Sequence, residues 1–279
     1  MNLSQSGSQY QRYWIMTMMT ACLSGAPAFA YELVPHQVTY QLKLKQASQE
    51  SQISEIKGRT QFSMIKECDG WKSAEDYLMQ MVFEDGNEIY LASLFDSFEN
   101  DAGSLFSFTI DERTSYDKPI TFDGFAELSS GATASQDSPS GSAFFSIAPD
   151  NAVTLPEDTV FPIANTLEIL ARAEAGDSFY TSHIFFGAKP DDALKKISVV
   201  IGKEQTADNN DTQSDLLMAS YYPVNIAYFD PKSTDGVPSY EISFQMQKNG
   251  VVPYYTVDYG DFILQADIDD IKAEALPSC

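Results

Sequence analysis

The sequence predicts a mainly β protein, built on a large antiparallel sheet that curls on itself and carries one short amphipathic helix. Three observations lead to this fold class. Polar and apolar residues alternate with a period of two along much of the chain, as in strands buried on one face. Predicted strands follow one another through short turns without regularly interposed helices, which favours an antiparallel meander. The chain also contains 18 Phe and 15 Tyr residues, so aromatic packing is expected to form much of the core.

The first predicted strand shows the alternation most clearly. In residues 37–45, the apolar side chains Val38, Tyr40, Leu42 and Leu44 fall on one side, and polar side chains fall on the other. This pattern is typical of a half-buried strand. Further strands are predicted at residues 61–65, 77–84, 87–95, 105–111, 120–128, 179–186, 195–201, 216–221 and 225–229, with Asp85-Gly86 as a hairpin turn.

A hairpin is predicted near the C-terminus. Residues 240–247 alternate as the first strand does, and they are followed by Asn249 and Gly250, which tolerate the positive φ of a tight turn. The returning strand is expected at residues 251–266.

One segment has a helical period instead. Residues 166–175 place Leu167, Leu170 and Ala171 on one face and are followed by Gly176, a helix stop. We expect this short helix to cover one face of the sheet or to plug one end. Two stretches rich in small or polar residues, 129–142 and 204–215, are predicted to be surface loops.

The N-terminus resembles a secretory leader. Residues 1–30 contain one charge, Arg12, then an apolar stretch, and end in Ala28-Phe29-Ala30, a small-x-small cleavage site. Cleavage after Ala30 would leave one β-rich domain of residues 31–279, exported to the periplasm. An alternative is that Cys22 is lipidated and becomes the new N-terminus. No later window is apolar enough to predict a transmembrane span.

The charge balance restricts the partners. The formal net charge is −23 at pH 7, which excludes nucleic acid as a plausible partner and disfavours anionic membrane surfaces. Cationic partners or divalent ions at the surface are compatible with it. The carboxylates are spread along the whole chain, so solubility is the simpler interpretation.

Two cysteines, Cys68 and Cys279, remain once the predicted leader with Cys22 is removed. In an oxidising compartment such a pair predicts a long-range disulfide. Redox-active pairs are usually closely spaced, so a structural role is expected. Trp71 follows Cys68 closely, and a large flat side chain at this position is expected to cover a buried bridge and to shield it from reductants.

Signals for catalysis, cofactors or metals are weak. The chain has two histidines, His36 and His183, and neither occurs in a zinc-ligand spacing, so structural roles are expected for both. Neither a nucleophile elbow nor a phosphate-binding glycine motif occurs. The acidic run at residues 208–212 carries oxygen ligands but lacks the glycine and glutamate of an EF-hand, which favours a solvated loop. No catalytic, cofactor or metal residues are predicted.

Several ordered motifs resemble the EipB-like family of cell-envelope integrity proteins. They are Leu33-Val34-Pro35-His36-Gln37-Val38-Thr39-Tyr40, Cys68-Asp69-Gly70-Trp71, Leu155-Pro156, Phe161-Pro162, Tyr222-Pro223-Val224, Ala227-Tyr228-Phe229, Tyr240-Glu241-Ile242-Ser243-Phe244, Asn249-Gly250-Val251, Tyr259-Gly260-Asp261-Phe262 and Ala275-Leu276-Pro277. The resemblance implies a periplasmic protein whose sheet spirals into an open barrel, joined by a Cys68–Cys279 disulfide and without known enzymatic activity. Asn165 stands where a histidine would be expected from the family.

Two functions follow from these observations. The first is a non-enzymatic periplasmic protein that supports envelope integrity by binding another envelope component through a groove or edge of the sheet. The alternative is a carrier that holds a lipid or other apolar molecule inside the open sheet.

Overall fold

A large, mostly antiparallel sheet dominates this computed structural model, which describes residues 33–129, 141–206 and 214–279. The predicted leader, with Cys22 and the cleavage site after Ala30, and the acidic run 208–212 lie outside these residues. Within them the strands are β1 His36–Ala47, β2 Ile53–Lys66, β3 Gly70–Phe83, β4 Glu88–Asn100, β5 Leu105–Thr114, β6 Ile120–Leu128, β7 Gly141–Phe145, β8 Val153–Leu155, β9 Thr159–Val160, β10 Phe179–Phe185, β11 Leu194–Ile201, β12 Gln205–Thr206, β13 Ser220–Phe229, β14 Tyr240–Met246, β15 Tyr254–Asp258 and β16 Phe262–Ala273, with helix α1 at Pro162–Ala175.

The first and last strands pair and close one side of the sheet. Their antiparallel register runs from His36 opposite Ala273 to Ala47 opposite Phe262. From this seam β2 to β8 extend in one direction and β15, β14, β13, β11, β10 and β9 in the other. The two outermost strands, β8 and β9, follow one another in the chain. The sheet is therefore nearly closed into a barrel, as the predicted fold class requires.

Most of the predicted strands are confirmed, and the prediction of residues 120–128 coincides with β6. Two predicted strands, 216–221 and 225–229, are instead one strand, β13, preceded by a turn. Pro223 lies within this strand. The last β11–β13 pair joins Ile201 to Val224, so Pro223 lies just beyond the end of that ladder. A proline at this position removes no ladder hydrogen bond.

The predicted returning strand 251–266 is also wrong in its bounds. It is divided into β15 and β16 by a tight turn, in which Gly260 has a φ of +85° and the Tyr259 N–H donates to the Phe262 carbonyl at 3.0 Å. Glycine adopts this backbone conformation without strain. The short strands β7, β8, β9 and β12 were not predicted from the sequence.

The helix α1 ends as predicted but begins four residues earlier. Gly176 adopts the left-handed conformation and its N–H donates to the carbonyls of Ala173 and Arg172, which completes the C-terminus. At the N-terminus the cap comes from β4. The two carboxylate oxygens of Glu99 accept the N–H groups of Ile163 and Ala164 at 2.7 and 2.8 Å. A carboxylate at this position satisfies two backbone donors and complements the helix dipole.

The core is rich in aromatic side chains, as predicted. One cluster packs phenylalanine rings from four strands together with Phe161, which precedes α1. The Phe161 ring stacks on Phe106 with centroids 5.3 Å apart and meets Phe185 edge to face at 6.3 Å. A second cluster packs Ile163, Ile169 and Leu170 of the helix against the β10, β11 and β13 face. The helix therefore lies against the concave side of the sheet and leaves part of that side open.

Candidate functional site

The curled sheet and α1 enclose an open cavity of about 1080 Å³. This volume lies slightly above the range of about 300 to 1,000 Å³ that is typical of small-molecule sites in proteins. A smaller pocket of about 460 Å³ shares Glu75, Glu112, Pro162, Phe186 and Asp192 with it. The wall of the larger cavity is predominantly apolar and aromatic and includes Phe62, Tyr77, Phe186, Tyr228, Tyr240 and Phe244.

Strand register brings a polar group into this apolar wall. Thr60 on β2 lies opposite Tyr40 on β1 and Tyr77 on β3, so the three side chains share the inner face. Glu75, two residues before Tyr77, lies opposite Phe62 on β2 and Phe95 on β4. The carboxyl group is thus set between aromatic side chains.

Glu75 accepts a hydrogen bond of 2.7 Å from the Thr60 hydroxyl. Burial raises the pKa of its carboxyl, and the Thr60 hydrogen bond opposes this in part. The residue keeps some accessible surface, which belongs to the cavity. It was not predicted as a site residue. The available signal was its phase, since Glu75 falls on the same side of the alternation as Tyr77 and Met79.

The other acidic groups of the cavity wall have partners. Glu112 accepts from the Lys189 ammonium at 2.8 Å, and Asp192 accepts from the Lys195 ammonium at 3.1 Å. Asp230 accepts the backbone N–H of Lys232 at 2.8 Å. The ion pairs of the described residues do not include Glu75.

Both histidines have local partners. His36 is buried in the cavity wall with Nδ1 at 2.7 Å from the Val34 carbonyl, and burial lowers the pKa of its imidazole against the effect of that hydrogen bond. His183 Nδ1 lies 2.7 Å from an Asp158 carboxylate oxygen, next to the short β9–β10 pairing. These contacts suit the structural roles expected for them.

The structure contains a disulfide between Cys68 and Cys279, with Cα atoms 5.8 Å apart. Both cysteine residues are exposed, whereas a buried bridge was expected. The reason is that Cys68 lies in the turn between β2 and β3 and Cys279 follows a tail without regular structure. Trp71 is partly buried on β3, with the Lys66 ammonium 5.5 Å from its ring centroid. Shielding of the bridge by Trp71 stays a prediction, and the exposure of both cysteines does not favour it.

The described residues contain no group of three or more His, Cys, Asp or Glu side chains arranged to hold a metal ion. Among these same residues, no helix has the length and apolar character needed to cross a membrane.

The nearly closed sheet and the internal cavity define the chain as a β-barrel-like protein. A crystal structure of a beta-barrel-like protein of a domain of unknown function from Brucella abortus is similar to it, with a TM-score of 0.77 and 26% identity over 88% of this chain and 100% of that chain. The sequence profile of the EipB-like family matches residues 27–275, and the chain belongs to that family. The Cell envelope integrity protein EipB of Brucella abortus (strain 2308) is 30% identical over 261 residues, which cover 90% of this chain and 88% of the relative.

Proposed function

We propose that this protein is a non-enzymatic periplasmic protein that supports the integrity of the cell envelope by holding an apolar envelope component in its cavity. The observation that carries this proposal is the 1080 Å³ cavity with its aromatic and aliphatic wall. A space of this size and composition suits a lipid-like molecule. Membership of the EipB-like family, and the name of the Brucella relative, support the part of the proposal that concerns the envelope.

The cavity favours a carrier over binding through the sheet edge, which was the first interpretation of the sequence. Core side chains normally leave little empty volume between them, since protein interiors pack as densely as organic crystals. Here the side chains of α1 fill only part of the concave side of the sheet. Binding of another envelope protein at a groove or edge stays a prediction.

The first experiment asks whether the purified protein retains a ligand. Native mass spectrometry of protein isolated from its own host should show an added mass, and solvent extraction should recover an apolar molecule. Leu91→Trp, which adds volume to the cavity wall, should abolish the added mass. Leu94→Trp is the matched control, because Leu94 lies on the outer face of the same strand and is 50% exposed.

The second experiment asks whether the cavity serves the envelope. Deletion of the gene should reduce tolerance to detergents and wall-active antibiotics, and L94W should restore tolerance whereas L91W should not. Unchanged tolerance after deletion would refute the role in envelope integrity. Restoration by L91W at normal protein abundance would refute the role of the cavity.

A further inference from the structure

The wall of the cavity contains a carboxylate that lacks a cationic partner among the described residues. Glu75 accepts a hydrogen bond from Thr60, while the neighbouring acids Glu112 and Asp192 each pair with a lysine. A carboxylate removed from bulk water is unfavourable unless a charge or several hydrogen bonds compensate it. One hydrogen bond from a neutral hydroxyl is little compensation, so burial shifts the empty site toward the protonated acid, and a bound cation would keep the carboxylate ionised. A buried carboxyl group without a positively charged partner is typical of a binding site, where the ligand supplies that partner.

Four tyrosines line the same cavity as this carboxylate, namely Tyr40, Tyr77, Tyr255 and Tyr259. For Tyr40, Tyr255 and Tyr259, burial is the first cause that raises the pKa of the phenol, and the negative charge of Glu75 adds to it. Tyr77 follows Glu75 by two residues on the same face of β3, and the same two causes, together with Tyr259, raise the pKa of its phenol. We call these four residues the tyrosine cage.

Two hydroxyl groups of the cage donate hydrogen bonds to groups other than Glu75. Tyr40 donates to the Val252 carbonyl at 2.6 Å, and Tyr77 donates to the Met79 sulfur at 3.1 Å. These hydroxyls therefore do not neutralise Glu75. The rings of Tyr40 and Tyr255 meet edge to face with centroids 5.2 Å apart. Aromatic rings combined with a carboxylate form the type of site that recognises ammonium groups, through cation–π attraction and charge pairing.

An anionic ligand fits this part of the cavity less well. The lysines at the wall are paired with Asp192 and Glu112, and His36 is directed at a backbone carbonyl. The formal net charge of −23 also repels anions.

We propose that the cavity binds a cationic amphiphile, with its ammonium group held by Glu75 within the tyrosine cage and its hydrocarbon part against the apolar wall. This inference rests on the proposed function, since it names the chemical class of the apolar ligand.

The test uses two amphiphiles with the same chain, tetradecyltrimethylammonium and tetradecyl maltoside, each below its micelle concentration. Displacement of the neutral fluorescent probe N-phenyl-1-naphthylamine from purified, delipidated protein reports their affinities. The native protein should prefer the cation by about tenfold or more, through charge pairing of the quaternary ammonium with Glu75 in a site removed from bulk water, since this group has no N–H to donate. Glu75→Gln should remove most of this preference. Asp76→Asn is the matched control, because it removes the same charge from the adjacent, exposed position.

Substitutions of Tyr255 test the cage independently, including the case in which E75Q does not fold. Tyr255→Phe should retain the preference, because the ring remains. Tyr255→Leu should reduce it by about threefold, the range of one cation–π contact. Thermal unfolding of each variant establishes that it is folded.

The outcomes separate the two proposals. Equal affinity for both amphiphiles, or an equal loss in E75Q and D76N, refutes the ammonium site and leaves an apolar carrier intact. Failure of both amphiphiles and of the probe to bind the native protein refutes the proposed function, and the ammonium site with it. A cation preference that E75Q alone removes supports both.

Discussion

Removal of the Cys68–Cys279 disulfide should lower the free energy of unfolding by about 3 to 5 kcal/mol. The bridge spans a sequence separation of 211 residues. For a loop of this length, the chain-entropy treatment gives about 5 kcal/mol at 25 °C, mainly by restricting the unfolded chain. Residual structure in the unfolded ensemble reduces this value, so 5 kcal/mol is the upper bound. Total stabilities of 5 to 15 kcal/mol are common, so the variant should still fold.

The perturbation is the double variant Cys68→Ser with Cys279→Ser, which leaves no unpaired thiol at either end of the bridge. Urea unfolding followed by circular dichroism measures its stability against the oxidised parent. The reduced parent is the control. Because both cysteines are exposed, a thiol reductant should open the bridge in the folded protein, and the reduced parent should then match the variant.

A loss of less than about 1 kcal/mol would refute this reasoning. It would mean that the unfolded chain already keeps its two ends near one another, so that the bridge restricts little. The slope of the unfolding transition distinguishes this case, because a compact unfolded state lowers it.

Two further predictions concern Glu99 and Trp71. Burial raises the pKa of Glu99 to about 7, above its ordinary 4.5, despite the two helix N–H donors that lower it. Urea unfolding measures the difference in free energy of unfolding between the parent and Glu99→Gln. This difference should fall, by at most about 3 kcal/mol, as pH rises from 4.5 to 7, because the folded protein then loses a proton that it binds more tightly than the unfolded chain does. An increase in the difference over this pH range would contradict the prediction. Because the cysteines are exposed, Trp71→Ala should change the rate of disulfide reduction less than about threefold, and a tenfold acceleration would establish shielding.

The sequence was most informative where one face of a strand is buried and the other is exposed to solvent. Residues 120–128 alternate strictly, and β6 has the predicted bounds. Local signals were insufficient where tertiary context decides. Pro223 is compatible with β13 only because β11 has already ended, and the start of α1 depends on Glu99 in a distant strand. Neither partner can be identified from neighbouring residues.

The candidate site was less predictable than the fold. A period of two identifies the buried face of a strand but not whether that face meets a core or a cavity. Glu75 was overlooked because the predicted strand began at residue 77, and its lack of a cationic partner depends on where Lys189 and Lys195 lie in the folded chain. The cage combines residues of β1, β3 and β15 with the Tyr259 turn, which only the pairing of β1 with β16 brings together.

Because β1 pairs with β16, the first strand of the sheet to be synthesised has no partner on that side until the last strand has been made. Until then one side of β1 is a row of unpaired backbone groups, and such edges recruit strands from other molecules. Contacts between residues so distant in the chain also form slowly. A growing polypeptide therefore keeps this edge exposed through nearly all of its translation. A truncation that removes β16, Phe262–Ala273, leaves the edge exposed permanently and should lower solubility.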